Sequence, residues 1–118
     1  MTHFRFQDLE IWKFAFQIAN ELYDIADMLE NKKLFRFAEQ LRGAGMSITN
    51  NISEGSGSFS NKEFHQFLNF SRRSIFECAN IILTIASRNH VDEPIQNHLL
   101  AELDHLSRKI ILFARTLK

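Results

Sequence analysis

Residues 40–55, which read QLRGAGMSITNNISEG, decide the fold of this chain. Apolar side chains recur here at the spacing of a helix, at Leu41, Ala44, Ile48 and Ile52. A second, polar line follows the same helix at Gln40, Ser47, Asn51 and Glu54. At about 100° per residue the two lines lie roughly a quarter-turn apart. The stretch therefore predicts a helix with one line on a core and the other facing a partner or water.

The rest of the chain has the pattern of three further helices. The 118 residues include only four glycines and one proline, too few for the turns of a β-sandwich. Asp8 and Asp92 are predicted N-caps, Ser60 and Glu63 fit a capping box, and Asn31 suits a left-handed turn. We predict helices near 8–30, 34–54, 61–89 and 93–117 and no strand. Short loops between them predict an all-α, antiparallel up-down-up-down four-helix bundle, with 1–118 as one domain.

Apolar side chains outside the core stripes predict self-association. The first helix carries an apolar arc of roughly 200°, whereas a surface helix needs little more than about 100°. On the third helix, four large apolar side chains fall off the stripe, and each favours burial by about 1.5–3 kcal/mol. We predict that they lie in a subunit interface: Phe70, Phe76, Ile81 and Leu83.

The charge is zero overall but is unevenly distributed along the chain. There are 14 basic and 14 acidic residues, so net charge supplies no general attraction to nucleic acid. Residues 32–73 nevertheless carry an excess of basic side chains, 105–118 carry four and no acidic one, and 1–31 are acidic. If RNA binds, we expect the contacts to come from Lys32, Lys33, Arg36, Arg42, Lys62, Arg72 and Arg73.

No constellation of residues indicates an enzyme. Glu102 and His105 have the Glu-x-x-His spacing of two metal ligands on one helix face, but a di-metal site needs a second such motif and further carboxylates. Cys78 lies on the core stripe, where a thiol is inert. The linker GSGS at 55–58 lacks the Lys-Ser/Thr ending of a phosphate loop. We expect no catalytic residue, no metal site and no cofactor.

The segment MTHFRFQDLE at the start of the sequence lacks the apolar region of a signal peptide. The longest apolar run, 81–86, is far shorter than the roughly 20 residues of a membrane span. We therefore expect a cytoplasmic protein that does not contact a membrane.

Three blocks of the sequence resemble one known family. QLRGAGMSITNNISEG is similar to the signature Q-L-R-R-A-x-x-S-I-x-x-N-I-A-E-G of the 23S rRNA intervening-sequence proteins, also called four-helix-bundle proteins. FQDLEIWKFA resembles the family's F-x-D-L-x-V-W opening, and EFHQFLNFSRRSIFE resembles E-F-x-x-F-L-x-x-A-x-G-S-x-x-E. The motif positions to which the resemblance gives a structural role are Gln40, Arg42, Ser47, Asn51, Glu54, Gly55, Ser74 and Glu77.

The resemblance implies a homopentameric ring of four-helix bundles without catalytic activity. Some members are encoded inside insertions of large-subunit ribosomal RNA genes, which explains their ribosomal-protein label. A related branch comprises accessory proteins of diversity-generating retroelements, whose basic surfaces engage nucleic acid and a reverse transcriptase. Here Gly43 replaces the second Arg of the signature, Arg73 replaces a Gly, and Glu30 stands where a proline is usual. The missing Arg at 43 weakens a basic face on the second helix, and Arg73 restores charge nearby.

Three hypotheses about function follow. The first is a non-enzymatic pentameric scaffold that binds RNA, or an RNA-binding protein, through basic residues of the second and third helices. The second is a protein-protein adaptor or retroelement accessory protein without direct RNA binding, which zero net charge favours. The third is a metal-dependent enzyme that uses Glu102 and His105. Salt separates the first two, because phosphate contacts weaken steeply as salt rises.

Overall fold

Four helices make up nearly the whole of the structure, a computed structural model that describes residues 1–118. A short 3₁₀ helix, Arg5–Asp8, precedes α1 (Glu10–Asn31), α2 (Phe35–Ser56), α3 (Asn61–Ser87) and α4 (Glu93–Ala114). The prediction of four helices and no strand is confirmed, with each boundary within three residues of the expected one.

The helix caps explain where the boundaries agree and where they differ. Ser60 accepts a hydrogen bond from the Glu63 backbone N–H at 3.2 Å, and Asp92 accepts one from the Ile95 N–H at 3.0 Å, so both predicted N-caps are confirmed. Asp8 does not cap α1, because it ends the 3₁₀ helix and Leu9 takes the N-cap position.

Two residues of the chain take a left-handed backbone conformation, and each follows the end of a helix. Lys33, not Asn31, takes the left-handed conformation after α1, with φ of 63°. Asn89 takes the same conformation after α3 and so ends that helix at Ser87. Both residues bear a Cβ, which makes this conformation uncommon for them outside tight turns.

The helices pack as an antiparallel bundle. Each helix contacts its neighbours in chain order, and α1 closes the circle on α4 through the least extensive of these contacts. Arg42 near the start of α2 meets the end of α1, whereas Ser56 at the end of α2 meets Arg5 before α1. The two helices therefore run in opposite directions, as the short connections require.

One apolar core runs the length of the bundle. It contains 23 buried residues drawn from all four helices. On α4 the apolar side chains of Leu99, Leu103, Leu106 and Ile110 are buried, and Phe113 lies half-buried against the same core. None of the four helices combines the length and the apolar character that crossing a bilayer demands.

A histidine closes the α1–α4 seam. His98 Nε2 lies 2.9 Å from Oε1 of Glu21, and Asp24 lines the same groove. The hydrogen bond to Glu21 raises the pKa of His98 above its ordinary value, with the Glu102 carboxylate adding to the effect. Because the folded pKa exceeds the unfolded one, near 6.5, the pair stabilises the fold fully below about pH 6.5. This contribution is lost as pH rises through the folded pKa.

We therefore expect the melting temperature to fall as pH rises through the folded pKa of His98. His98→Gln should make the melting temperature depend less on pH. Thermal unfolding followed by circular dichroism from about pH 5.5 to pH 8.5 measures it. His3→Gln is the matched control, because it removes a histidine that contacts only Asp8 before α1. An unchanged slope in His98→Gln would show that the pair carries no pH-dependent stability.

Candidate nucleic-acid interface

The groove between α2 and α3 collects most of the polar motif positions. Two adjoining cavities of about 510 and 400 Å³ share Ser47 and Glu77. Their other lining residues are mostly neutral: Arg36, Glu39, Gln40, Gly43, Ala44, Asn51, Phe70, Arg73 and Ser74. With Glu77 included, the groove has two arginines and two glutamates and therefore no net charge.

A hydroxyl network crosses the floor of that groove. The Oγ atoms of Ser74 and Ser47 lie 2.7 Å apart, which links α3 to α2. Asn51 Nδ2 donates to Ser47 Oγ at 3.0 Å and to the Ser47 carbonyl at 2.8 Å. One turn deeper, the fully buried Ser71 donates to the Ile48 carbonyl at 2.8 Å. This contact pattern is that of an interhelix tie, which is the structural role expected of Ser47 and Asn51.

The motif positions Glu54 and Gly55 lie outside this hydroxyl network. The Glu54 side chain is exposed and makes no hydrogen bond to the following turn, where its backbone carbonyl accepts from Gly57 N–H instead. Gly55 does not follow the helix but lies buried inside α2, where it permits close approach of α3. Gly57 takes the C-cap position.

Arg42 is held by acidic residues of α1. Its Nη2 lies 2.6 Å from Oδ1 of Asp27, and its Nη1 lies 2.9 Å from Oε1 of Glu30. The hydrogen bond to Asp27, with that to Glu30, raises the pKa of Arg42. Since both carboxylates already neutralise the guanidinium, Arg42 joins α1 to α2 and is a poor phosphate ligand. Its role as a nucleic-acid contact stays a prediction, and these two ion pairs weigh against it.

The other six predicted cations do not share one surface. Lys32 and Lys33 lie in the α1–α2 turn, and Arg36 follows on the first turn of α2. Lys62 lies at the opposite end of the bundle, since the 22 residues of α2 span about 33 Å. Arg72 and Arg73 lie midway along α3. The structure thus brings together Lys62, Arg72 and Arg73 on α3 and leaves the α1–α2 cations apart.

A second surface, which comprises one cavity on α3 alone and one between α3 and α4, is cationic. Two adjoining cavities of about 380 and 260 Å³ share Asn69 and Arg72. Arginines at three positions and one histidine line them, and none of the lining residues is a carboxylate: His65, Leu68, Asn69, Arg72, Arg73, Phe76, Ile110, Ile111, Ala114 and Arg115. No ion-pair partner lies near the side chains of Arg72, Arg73 and Arg115. We call these lining residues the α3–α4 groove.

The cations continue beyond both edges of this groove. Lys62 lies on the same side of α3 as Asn69 and Arg73, because these positions recur at helical spacing. Lys118 is near it, since Asn61 Nδ2 donates to the Lys118 carbonyl at 2.8 Å. Arg108 on α4 is bonded to Asp104 at 2.9 Å.

Sequence reasoning missed Arg115 and His65 as members of this groove. The signal for Arg115 was present, because 105–118 carry four basic residues and no acidic one. The sequence did not indicate that this segment packs against α3. In the structure, His65 Nε2 lies 3.1 Å from the Leu117 carbonyl and Arg72 Nε donates to Ser107 Oγ at 3.3 Å.

Ile81, one of the four predicted interface residues, is instead buried within its own chain. It is 8% exposed and belongs to the core of its own chain, because the buried arc of α3 extends toward α2. Phe70, Phe76 and Leu83 are exposed by 46%, 63% and 47%. Phe70 lines the α2–α3 groove, whereas Phe76 and Leu83 lie about 120–140° round the helix from it.

Further aromatic side chains form a ladder before and along α1. Ring centroids lie 5.8 Å apart for Phe4 and Phe6, 5.1 Å for Phe6 and Trp12, and 4.8 Å for Trp12 and Phe16. Phe4 and Phe16 remain largely exposed. We call these four residues the α1 aromatic ladder, and it occupies part of the wide apolar arc that the sequence indicates.

The remaining chemical groups are held by structural contacts. His105 packs edge-on against Phe14, with ring centroids 5.2 Å apart, and His98 bonds to Glu21. No group of three or more His, Cys, Asp and Glu side chains is arranged to hold a metal ion. Cys78 is fully buried, and this burial raises its pKa to about 12.

Comparison with known proteins gives one family. The family model described as 23S rRNA-intervening sequence protein matches residues 7–112, which include all four helices except the last two residues of α4. No curated protein matches the chain at a significant level.

Proposed function

Because the chain belongs to the 23S rRNA-intervening sequence protein family, we propose that it is a non-enzymatic, oligomeric scaffold that binds RNA through the α3–α4 groove. The observation that carries this proposal is that no carboxylate lines the α3–α4 groove and that Arg72, Arg73 and Arg115 have no ion-pair partner. Phosphate contacts supply most of the affinity of such interfaces, and an arginine already neutralised by a carboxylate contributes little to them.

Further cations near the groove support the same surface. Lys62, Arg115 and Lys118 gather at the end of the bundle that holds the α2–α3 turn. None of these three side chains has an ion-pair partner.

Reversing two arginines tests the RNA contact. We expect Arg73→Glu with Arg115→Glu to abolish the wild-type gel shift at low salt or to weaken it strongly, because neither side chain has a protein partner to lose. Two phosphate contacts fewer should also lower the slope of log K against log salt by about 1.4 for single-stranded RNA. Lys32→Glu with Lys33→Glu is the matched control, since it changes the net charge equally at the other end of the bundle.

Sedimentation velocity on the same three proteins separates loss of binding from loss of assembly. The proposal requires that both double variants sediment like the unmutated protein. Equal weakening by the two double variants would mean that total charge alone acts. Absence of any wild-type shift at low salt would refute RNA binding.

The proposed scaffold is a homo-oligomer, and the resemblance to the family implies five subunits. Exposed aromatic surface supports self-association, since contiguous apolar patches on a protein mark interaction sites. The α1 aromatic ladder is one such surface, and Phe70 in the α2–α3 groove lies on a different face. A closed ring uses two different faces of each subunit, which these two surfaces supply.

A protein adaptor without RNA binding is the second candidate function. The α2–α3 groove favours it, because its two arginines and two glutamates suit a partner that also carries both signs of charge. Gly43 leaves this groove open, since an added Cβ there would meet no atom within 4 Å. The same gel shift distinguishes the candidates, since the adaptor requires no shift at low salt.

A further inference from the structure

We propose that the α3–α4 groove binds RNA as a single strand, with a base stacked on Phe76 and phosphates against the neighbouring arginines. This inference rests on the RNA binding proposed above and adds the form of the ligand. It also assigns to Phe76 a role as a stacking platform.

Phe76 is an exposed aromatic residue of the groove. Its side chain is 63% exposed, and its ring pairs with no other aromatic ring of the chain. The Arg72 guanidinium carbon lies 5.9 Å from the ring centroid. Single-stranded nucleic acids bind to such pairs of an exposed aromatic face and an adjacent cation, because every base has a face that can stack.

Arg72 is held in position for this role. Its Nε donates to Ser107 Oγ at 3.3 Å, which fixes the side chain between α4 and the Phe76 ring. The terminal nitrogens make no hydrogen bond within the protein and have no carboxylate partner. They remain free to donate to a phosphate beside the stacked base, and Arg73, next in sequence, borders the same cavity.

The exposed ring of Phe76 favours a single strand over a duplex. In an RNA duplex the bases are stacked inside the helix, so an aromatic side chain on a protein surface meets only backbone and groove edges. A splayed base of a single strand reaches the ring, and the cavity beside Phe76, about 380 Å³, has room for one. A duplex would contact the arginines through phosphates alone and would be insensitive to Phe76.

The test compares one labelled RNA as a single strand and as a duplex with its complement, by fluorescence anisotropy at low salt. We expect Phe76→Ala to weaken single-strand binding about tenfold or more, and to change duplex binding less than about twofold. Phe76→Tyr keeps an aromatic face and should retain the affinity. Phe35→Ala is the matched control, because Phe35 is equally exposed at the start of α2, far from the groove.

Sedimentation velocity on Phe76→Ala completes the experiment. Dissociation of the oligomer would place Phe76 in a subunit interface and overturn the inference. Wild-type RNA binding with no effect of Phe76→Ala, or with equal loss for strand and duplex, would overturn the inference and leave the proposed function standing. If the wild type binds neither form, the proposed function itself fails.

Discussion

Phe64→Ala is expected to lower the free energy of unfolding by about 3–5 kcal/mol, the usual cost of truncating a buried phenylalanine. Phe64 is 2% exposed at the start of α3, where three other parts of the chain meet its ring. The Phe113 ring of α4 packs edge-on at 5.5 Å, and the Arg5 guanidinium lies 5.6 Å above the ring centroid. Gly55 of α2 lies against the same ring. Truncation therefore leaves a cavity that no single neighbour can fill.

Phe76→Ala is the matched control for this measurement, since it makes the same substitution on the same helix. We expect it to change stability by less than about 0.5 kcal/mol, as is usual for an exposed site. Urea unfolding followed by circular dichroism measures both variants at one protein concentration, because association also contributes to apparent stability. Equal losses of stability for the two variants would contradict the assignment of a structural role to Phe64 and a binding role to Phe76.

Local sequence signals predicted the helices well. Caps such as Ser60 and Asp92 act over three residues, so the pattern that encodes them is contiguous. The start of α1 was less predictable, because Asp8 ends a 3₁₀ helix and bonds to His3, which leaves Leu9 as the N-cap. The predicted end of α3 at residue 89 was two residues too late, because Asn89 takes the left-handed conformation and ends the helix at Ser87.

Contacts across the bundle place several side chains in ways that the sequence pattern did not indicate. Ile81 lies off the narrow stripe of α3, but α3 packs between α2 and α4, so its buried arc is wider than a single seam. Arg42 looked free because its two carboxylate partners lie 12 and 15 residues away. Arg115 is close to Arg72 only because α4 folds back along α3. A charge pattern along the sequence thus counts cations but does not tell which are already neutralised.

Gly55 gives the clearest case of a role that only packing reveals. A Cβ added there would lie 2.7 Å from Phe67 Cβ and 2.8 Å from a ring carbon of Phe64. The Phe67 atom is fixed to the backbone of α3, so the two helices would have to separate. We expect Gly55→Ala to destabilise the protein, because overpacking costs about 1–3 kcal/mol and better helix propensity returns at most about 1 kcal/mol.

Gly43→Ala is the opposite case on the same helix. An added Cβ at Gly43 would meet no atom within 4 Å, so only the gain in helix propensity remains. We therefore expect this variant to be more stable than the wild type by up to about 1 kcal/mol, and Gly55→Ala to be less stable. Urea unfolding of both variants at equal protein concentration measures the two signs directly. A stabilised Gly55→Ala would mean that α2 and α3 do not approach this closely. A destabilised Gly43→Ala would mean that the open groove over Gly43 is filled in solution, and the loss would then diminish on dilution if a second copy of the chain fills it.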